Sequence, residues 1–123
     1  METEQNSFEN LRVWQLSHQL TVEVYKATKT FPPEEKYSLT DQVKRSSSSV
    51  ATNIVEGNER QTKKEYIQFL YTSKGSLAET KYHLLLAKDL GYIKILEYNH
   101  LIEMSNQIGK MLNSLIKYLK SKI

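Results

Sequence analysis

Apolar positions recur at three- and four-residue spacing along most of the chain, with no strand-like alternation, so the pattern predicts an all-α protein. Val13, Leu16, Leu20, Val24, Ala27 and Phe31 share one face of a first helix expected over residues 9–30. Its start is expected near Ser7 to Asn10, which can cap free N–H groups, and Phe31-Pro32-Pro33 stops it. Leu39, Val43, Val50 and Ile54 mark a second helix over residues 38–57, with Ser38 and Asp41 as a reciprocal cap and Gly57 as its end. Thr62-Lys63-Lys64-Glu65 is a capping box for a third helix over 62–90 that closes on Gly91. A fourth, over 95–121, carries one stripe of Leu101, Met104, Ile108, Met111, Leu112, Leu115 and Leu119, with Lys110, Asn113 and Lys117 opposite. Short connections between four helices predict an antiparallel up-down-up-down four-helix bundle over residues 8–121, after a polar tail at 1–7. The Ser46–Ser49 run falls mid-helix, where small side chains are expected to allow close helix approach.

Two helices carry more apolar surface than one face. On the third, Tyr66, Phe69, Leu70, Leu77, Leu84 and Ala87 form one stripe, and Ile67, Tyr71, Ala78, Tyr82 and Leu85 form another well over 90° away. On the first, Leu11, Trp14, His18, Val22 and Tyr25 lie nearly opposite the main stripe. A wide arc serves either two neighbours within the bundle or a second subunit. Tyrosine and tryptophan, enriched in interfaces, favour the subunit reading, because contiguous apolar patches are rarely left open on monomers.

Composition narrows the setting. The 123 residues suit one domain, and 39% hydrophobic with 25% charged residues is globular rather than disordered composition. No apolar run approaches the ~20 residues of a membrane span, and the polar, acidic start is unlike a signal peptide. With no cysteine there is no disulfide framework or thiolate metal site, and a reducing cytoplasm is the expected location. The net charge of +3 is unevenly spread: residues 1–60 sum to −2, residues 61–123 to +5, and no acid follows Glu103. Such asymmetry points to an anionic partner, RNA or DNA, although surface lysines also serve solubility.

Lys63, Lys74, Lys81 and Lys88 fall within about 40° of one another on the third helix. A line of ammonium groups is what a phosphate backbone requires; the same lysines could equally flank the apolar faces with their stems packed. Arg45, Arg60 and Lys64 are candidates to extend the patch. On the second helix Gln42, Arg45, Ser49, Asn53 and Glu56 share a polar face, read as solvated surface or as an inter-subunit seam in which Arg45 meets a neighbour's Glu56.

Catalytic and metal signals are weak. Glu79 with His83, and Glu97 with His100, give an incomplete set for a di-iron bundle, and Glu79 and His83 are expected on a polar stripe with Glu65, Thr72 and Ser76. His18, on an apolar stripe, is expected to be buried and satisfied. There is no nucleophile elbow and no glycine-rich phosphate loop. No enzyme activity, cofactor or metal is expected.

Phe8-Glu9-Asn10-Leu11-Arg12-Val13-Trp14-Gln15 resembles the opening of the four-helix bundle family encoded by intervening sequences in bacterial 23S rRNA genes. Phe31-Pro32 with Glu35 and Tyr37, Gln42 to Arg45, and Ser49-Val50-Ala51-Thr52-Asn53-Ile54-Val55-Glu56-Gly57 continue the likeness. Glu65, Phe69-Leu70, Gly75-Ser76-Leu77 with Glu79, and Leu90-Gly91-Tyr92 extend it, so it spans about residues 8 to 119. The resemblance implies a homopentameric, barrel-like ring. It also brings in the accessory proteins of diversity-generating retroelements, which are basic, bind nucleic acid and partner a reverse transcriptase. Tyr37-Ser38-Leu39 stands where Tyr-Gly-Leu is usual, Ser46-Ser47-Ser48 replaces a more alanine-rich stretch, and the net charge is milder. The expectation is therefore a non-enzymatic homo-oligomer that binds nucleic acid or scaffolds; the alternative is a protein-binding module that recruits a partner such as a reverse transcriptase without touching nucleic acid.

Overall fold

The computed structural model describes residues 8–123, and those residues contain helices and turns with no strand. Four long helices, α1 (Arg12–Ala27), α2 (Leu39–Asn58), α3 (Lys63–Asp89) and α4 (Ile95–Ser121), pack around one apolar core. Each helix packs mainly on two others: α1 on α2 and α4, α3 on α2 and α4. The main stripes of α1 and α2 are buried as expected, and the α4 stripe is buried but for the half-exposed Met111 and Leu115.

The helix ends show where local sequence decides and where packing does. At α3 the Thr62 hydroxyl accepts from the Glu65 N–H at 3.1 Å, the expected cap. The same helix ends with the Tyr92 N–H donating to the Ala87 carbonyl and the Gly91 N–H to that of Lys88. That bond pair needs a left-handed residue, and Gly91 supplies it at φ +80°. The other caps differ from expectation. Ser38 makes no side-chain cap; Glu35 Oε1 takes the free Leu39 N–H instead, at 3.2 Å, because a 3₁₀ turn over Pro33–Glu35 delivers that carboxylate to the helix start. Leu11 precedes α1 without a side-chain cap, and Asn10 belongs to a short 3₁₀ turn, Phe8–Asn10. Ser7 and the 1–7 tail lie outside the described residues. α2 ends at Asn58, one residue past the expected Gly57, and Gly57 is helical rather than a positive-φ cap.

Between α2 and α3 the contact is polar and tight. Ser46 meets Thr80, Ser49 meets Ser76 (both Oγ···O 2.8 Å), and the Ser73 hydroxyl donates to the Val50 carbonyl at 2.7 Å. The serine run thus lies between helices, as its small side chains require.

At one end of the bundle the α1–α2 and α3–α4 connections are tied together. Thr30 Oγ1 donates to the Tyr92 carbonyl at 2.9 Å, Tyr92 packs on Phe31, and its hydroxyl donates to Glu35 Oε2 at 2.8 Å. That bond, then desolvation, then the negative charges of Glu35 and Glu34 push the Tyr92 phenol up from its usual range. A proton held more tightly in the folded state gives stability that is complete below the ordinary phenol range and fades as pH rises through the raised value. Absorbance titration should therefore show late-ionising phenols, among them the buried Tyr66, of which one is lost in Tyr92→Phe and shifts to lower pH in Glu35→Gln; no shift in Glu35→Gln would remove this bond from the junction.

A basic seam and two aromatic faces

The lysine line on α3 borders α4. Lys88 Nζ stands 4.7 Å from the Tyr98 ring and 3.5 Å from Asp89 Oδ1. Lys74 Nζ stands 5.8 Å from the Tyr71 ring, and Lys120 Nζ, from α4, 5.3 Å from the same ring. Tyr71, Lys74, Asn113, Ile116, Lys117 and Lys120 line a groove of about 300 Å³ between the two helices. Lys74, Lys81 and Lys88 are half-buried along their stems, as long cationic side chains are when heads reach water past an apolar border. The packed-stem reading and the basic-surface reading are here the same arrangement.

The structure extends that line in one direction and trims it in another. Lys117 and Lys120, which the sequence places in the basic stretch after Glu103 without saying which helix they face, join it. The signal lay in the acid-free stretch after Glu103, whose lysines repeat at helical spacing. Leu77 of α3 lies against Gly109 of α4, and Tyr71 near Lys120, so the start of α3 with exposed Lys63 and Lys64 lies beside the end of α4. Arg60 is held over the Phe69 ring at 4.5 Å. Arg45 does not join: it sits on α2, which packs on a different side of α3, and pairs with Asp41 at 3.0 Å.

The aromatic stripes fall on opposite sides of the bundle. Along the α1–α2 edge, Trp14 stacks on His18 (centroids 5.1 Å apart, 6° between planes), and Val22 and Tyr25 are exposed at 38% and 46%. Lys44 Nζ lies 4.6 Å from the Tyr25 ring, and Ala51 and Val55 of α2 continue the apolar surface beside Trp14. His18 is thus exposed rather than buried, because its ring lies flat on an indole that is itself only half covered. Leu11, half-buried, packs against the core. On the α3 side Tyr71, Ala78, Tyr82 and Leu85 are exposed, Tyr82 at 58%. Ile67 leaves this set. It is 5% exposed and part of the core, since near its start α3 turns that position inward.

On the polar face of α2 the Asn53 amide donates to the Ser49 carbonyl at 2.8 Å, Arg45 pairs with Asp41 at 3.0 Å, and Glu56 is exposed. His83 is buried instead of lining a solvated stripe; its Nε2 meets Glu79 at 3.2 Å, while Nδ1 has no partner. His100 joins α4 to α1 through Glu23 at 2.9 Å. Among the described residues no group of three or more His, Asp or Glu could hold a metal ion, and no helix is long and apolar enough to cross a membrane.

The pattern defining the 23S rRNA-intervening sequence protein family matches residues 9–114. No curated protein matches the chain. Among solved structures, a protein of unknown function from the S23 ribosomal protein family of Bacteroides thetaiotaomicron VPI-5482, determined at 1.70 Å, aligns with TM-score 0.79 and 29% identity. The alignment covers 85% of this chain and 95% of that one.

Proposed function

We propose, from the premise that this chain belongs to the 23S rRNA-intervening sequence protein family, that it acts without catalysis as a homo-oligomeric nucleic-acid-binding accessory protein. The observation that carries this reading is the α3–α4 seam, where Lys74, Lys81, Lys88, Lys117 and Lys120 line one surface with Asp89 as the acid beside it. Five lysines against one carboxylate concentrate about as much positive charge on one surface as the net +3 of the whole chain. Each phosphate they neutralise would release counterions and make binding fall steeply with salt. Replacing Lys74, Lys81 and Lys88 by glutamate should abolish retention on RNA or DNA at low salt while the oligomer persists. Retention unchanged by those substitutions would sink the reading.

The assembly we propose is an antiparallel up-down-up-down bundle closing into a ring, pentameric as the family resemblance implies. The two aromatic faces differ in composition and point away from each other, so α1 of one copy can cover Ala78, Tyr82 and Leu85 of the next. A head-to-tail contact of this kind does not make a two-fold dimer, and it builds a ring when the rotation between copies closes. Sedimentation equilibrium should give a multiple of the monomer mass at micromolar concentration, and Trp14 emission should redden on dilution. A clean monomer would remove the assembly from the proposal.

A second reading has its own observation. Tyr37, Leu90, Ile95 and Leu96 are exposed, Leu96 at 79%, about the two connections tied together by Tyr92. An apolar end of this kind suits a protein partner such as a reverse transcriptase. Absence of any retention on nucleic acid, with binding to such a partner abolished by Leu96→Asp, would favour it.

A further inference from the structure

The groove at Tyr71 has features that a general basic surface does not need. We infer that it is a base-stacking subsite for single-stranded nucleic acid, with Tyr71 as the platform and Lys74, Lys117 and Lys120 as the phosphate contacts. The inference rests on the nucleic-acid reading above and narrows it.

Three observations distinguish a single strand from a duplex here. Tyr71 is the aromatic ring of a recess of about 300 Å³ between two helices, whereas a duplex keeps its base faces stacked inside and offers only edges and phosphates. An unstacked base can enter such a recess and lie on the ring; a stacked one cannot. Second, the ring is 40% exposed and bordered by two ammonium groups, Lys74 Nζ at 5.8 Å and Lys120 Nζ at 5.3 Å. Both are on flexible stems, so an entering base can displace them towards the phosphates on either side of it. Third, Asn113 and Ile116 form the α4 wall, an amide able to donate to or accept from a base edge beside an apolar surface. No carboxylate lines the recess.

Tyr71 shares a face of α3 with the surface assigned to subunit contact but lies toward the start of the helix: Ala78 is seven residues on, about 10 Å by helical rise, and Tyr82 eleven, about 16 Å, so a neighbouring copy centred on Tyr82 and Leu85 leaves the Tyr71 recess open. In a ring the recess recurs on each copy, and a strand long enough to visit several gains affinity from linked binding.

Fluorescence anisotropy of labelled oligo-dT and oligo-U, against a duplex of equal length, tests this on the intact protein. The single strands should bind tighter than the duplex. Tyr71→Ala should weaken single-strand binding about tenfold or more and leave duplex binding unchanged, while Tyr71→Phe, which keeps the ring, restores it. Lys74→Gln with Lys120→Gln should lower the salt dependence of binding, as Tyr71→Ala should not. Equal binding of single strand and duplex, or indifference to Tyr71→Ala in an oligomer of unchanged mass, overturns the stacking subsite while nucleic-acid binding stands. No binding of either form overturns both.

Discussion

Gly57→Ala is expected to destabilise the protein by about 1–3 kcal/mol, although alanine is the better helix former by about 1 kcal/mol. A Cβ at Gly57 would lie 2.8 Å from Tyr66 Cδ1 and 2.9 Å from Phe69 Cβ. The first is part of a ring whose hydroxyl is already buried without a partner, so the ring has little freedom to retreat. The second is a β-carbon fixed to the α3 backbone, and it can move only if the helix does. The strain therefore falls on the α2–α3 packing next to the turn that joins them. Gly75→Ala is the control. It occupies the interior of α3 with nothing within 4 Å of the added carbon, so the helix gain of about 0.5–1 kcal/mol should appear unopposed. Urea unfolding with matched slopes should move the two midpoints in opposite directions. Equal shifts of the same sign would show that helix propensity, not the close approach at residue 57, governs both sites.

Gly57 also shows where sequence reasoning stopped. A glycine at the end of an amphipathic run looks like a helix terminator, and Gly91 is one, with the positive φ that role demands. Nothing local separates the two. The difference is that Tyr66 and Phe69 come back against Gly57 after the chain reverses. The same limit explains the histidines. His83 sits at the border of an apolar arc and His18 on a second arc opposite the main one, and a wheel of ~100° per residue cannot say which of these faces a neighbouring helix. Packing put His83 inward against α2's side of α3 and left His18 out on Trp14. Ile67 misread in the other direction for the same reason.

What periodicity does encode is the main stripe of each helix, and the four stripes supply most of the core, to which packing adds Ile67, Ile93 and Ile116. The basic seam was half legible. Spacings of seven and eleven put the α3 lysines on one line, but which helix faced that line was a property of the pair. Once α4 is placed there, Lys117 and Lys120 complete a groove that neither helix predicts alone.

Ser47→Leu is expected to cost about 3 kcal/mol and to dissociate the proposed oligomer. Ser47 is fully buried in α2 on the side that meets α1, and Thr21 Oγ1 of α1 lies 3.1 Å from its carbonyl oxygen. Its own hydroxyl donates to Lys44 of the same helix at 3.1 Å, so the hydroxyl itself joins nothing to α1. Size is what the position demands: a leucine adds branched carbons where the two backbones approach, and α1 has to move away. Ser47→Ala removes only the bond within the helix and should be close to neutral. Ser73→Ala differs, because its hydroxyl reaches the Val50 carbonyl of another helix, and its loss should cost about 1 kcal/mol. The Leu substitution has a second consequence, since α1 carries Trp14, His18, Val22 and Tyr25 on the face assigned to the next copy. Shifting α1 displaces that face as a unit, so sedimentation should show monomer under conditions where Ser47→Ala still assembles. Unfolding and sedimentation on the same samples separate the two effects: a destabilised but intact oligomer would mean that α1 moves without being the assembly surface.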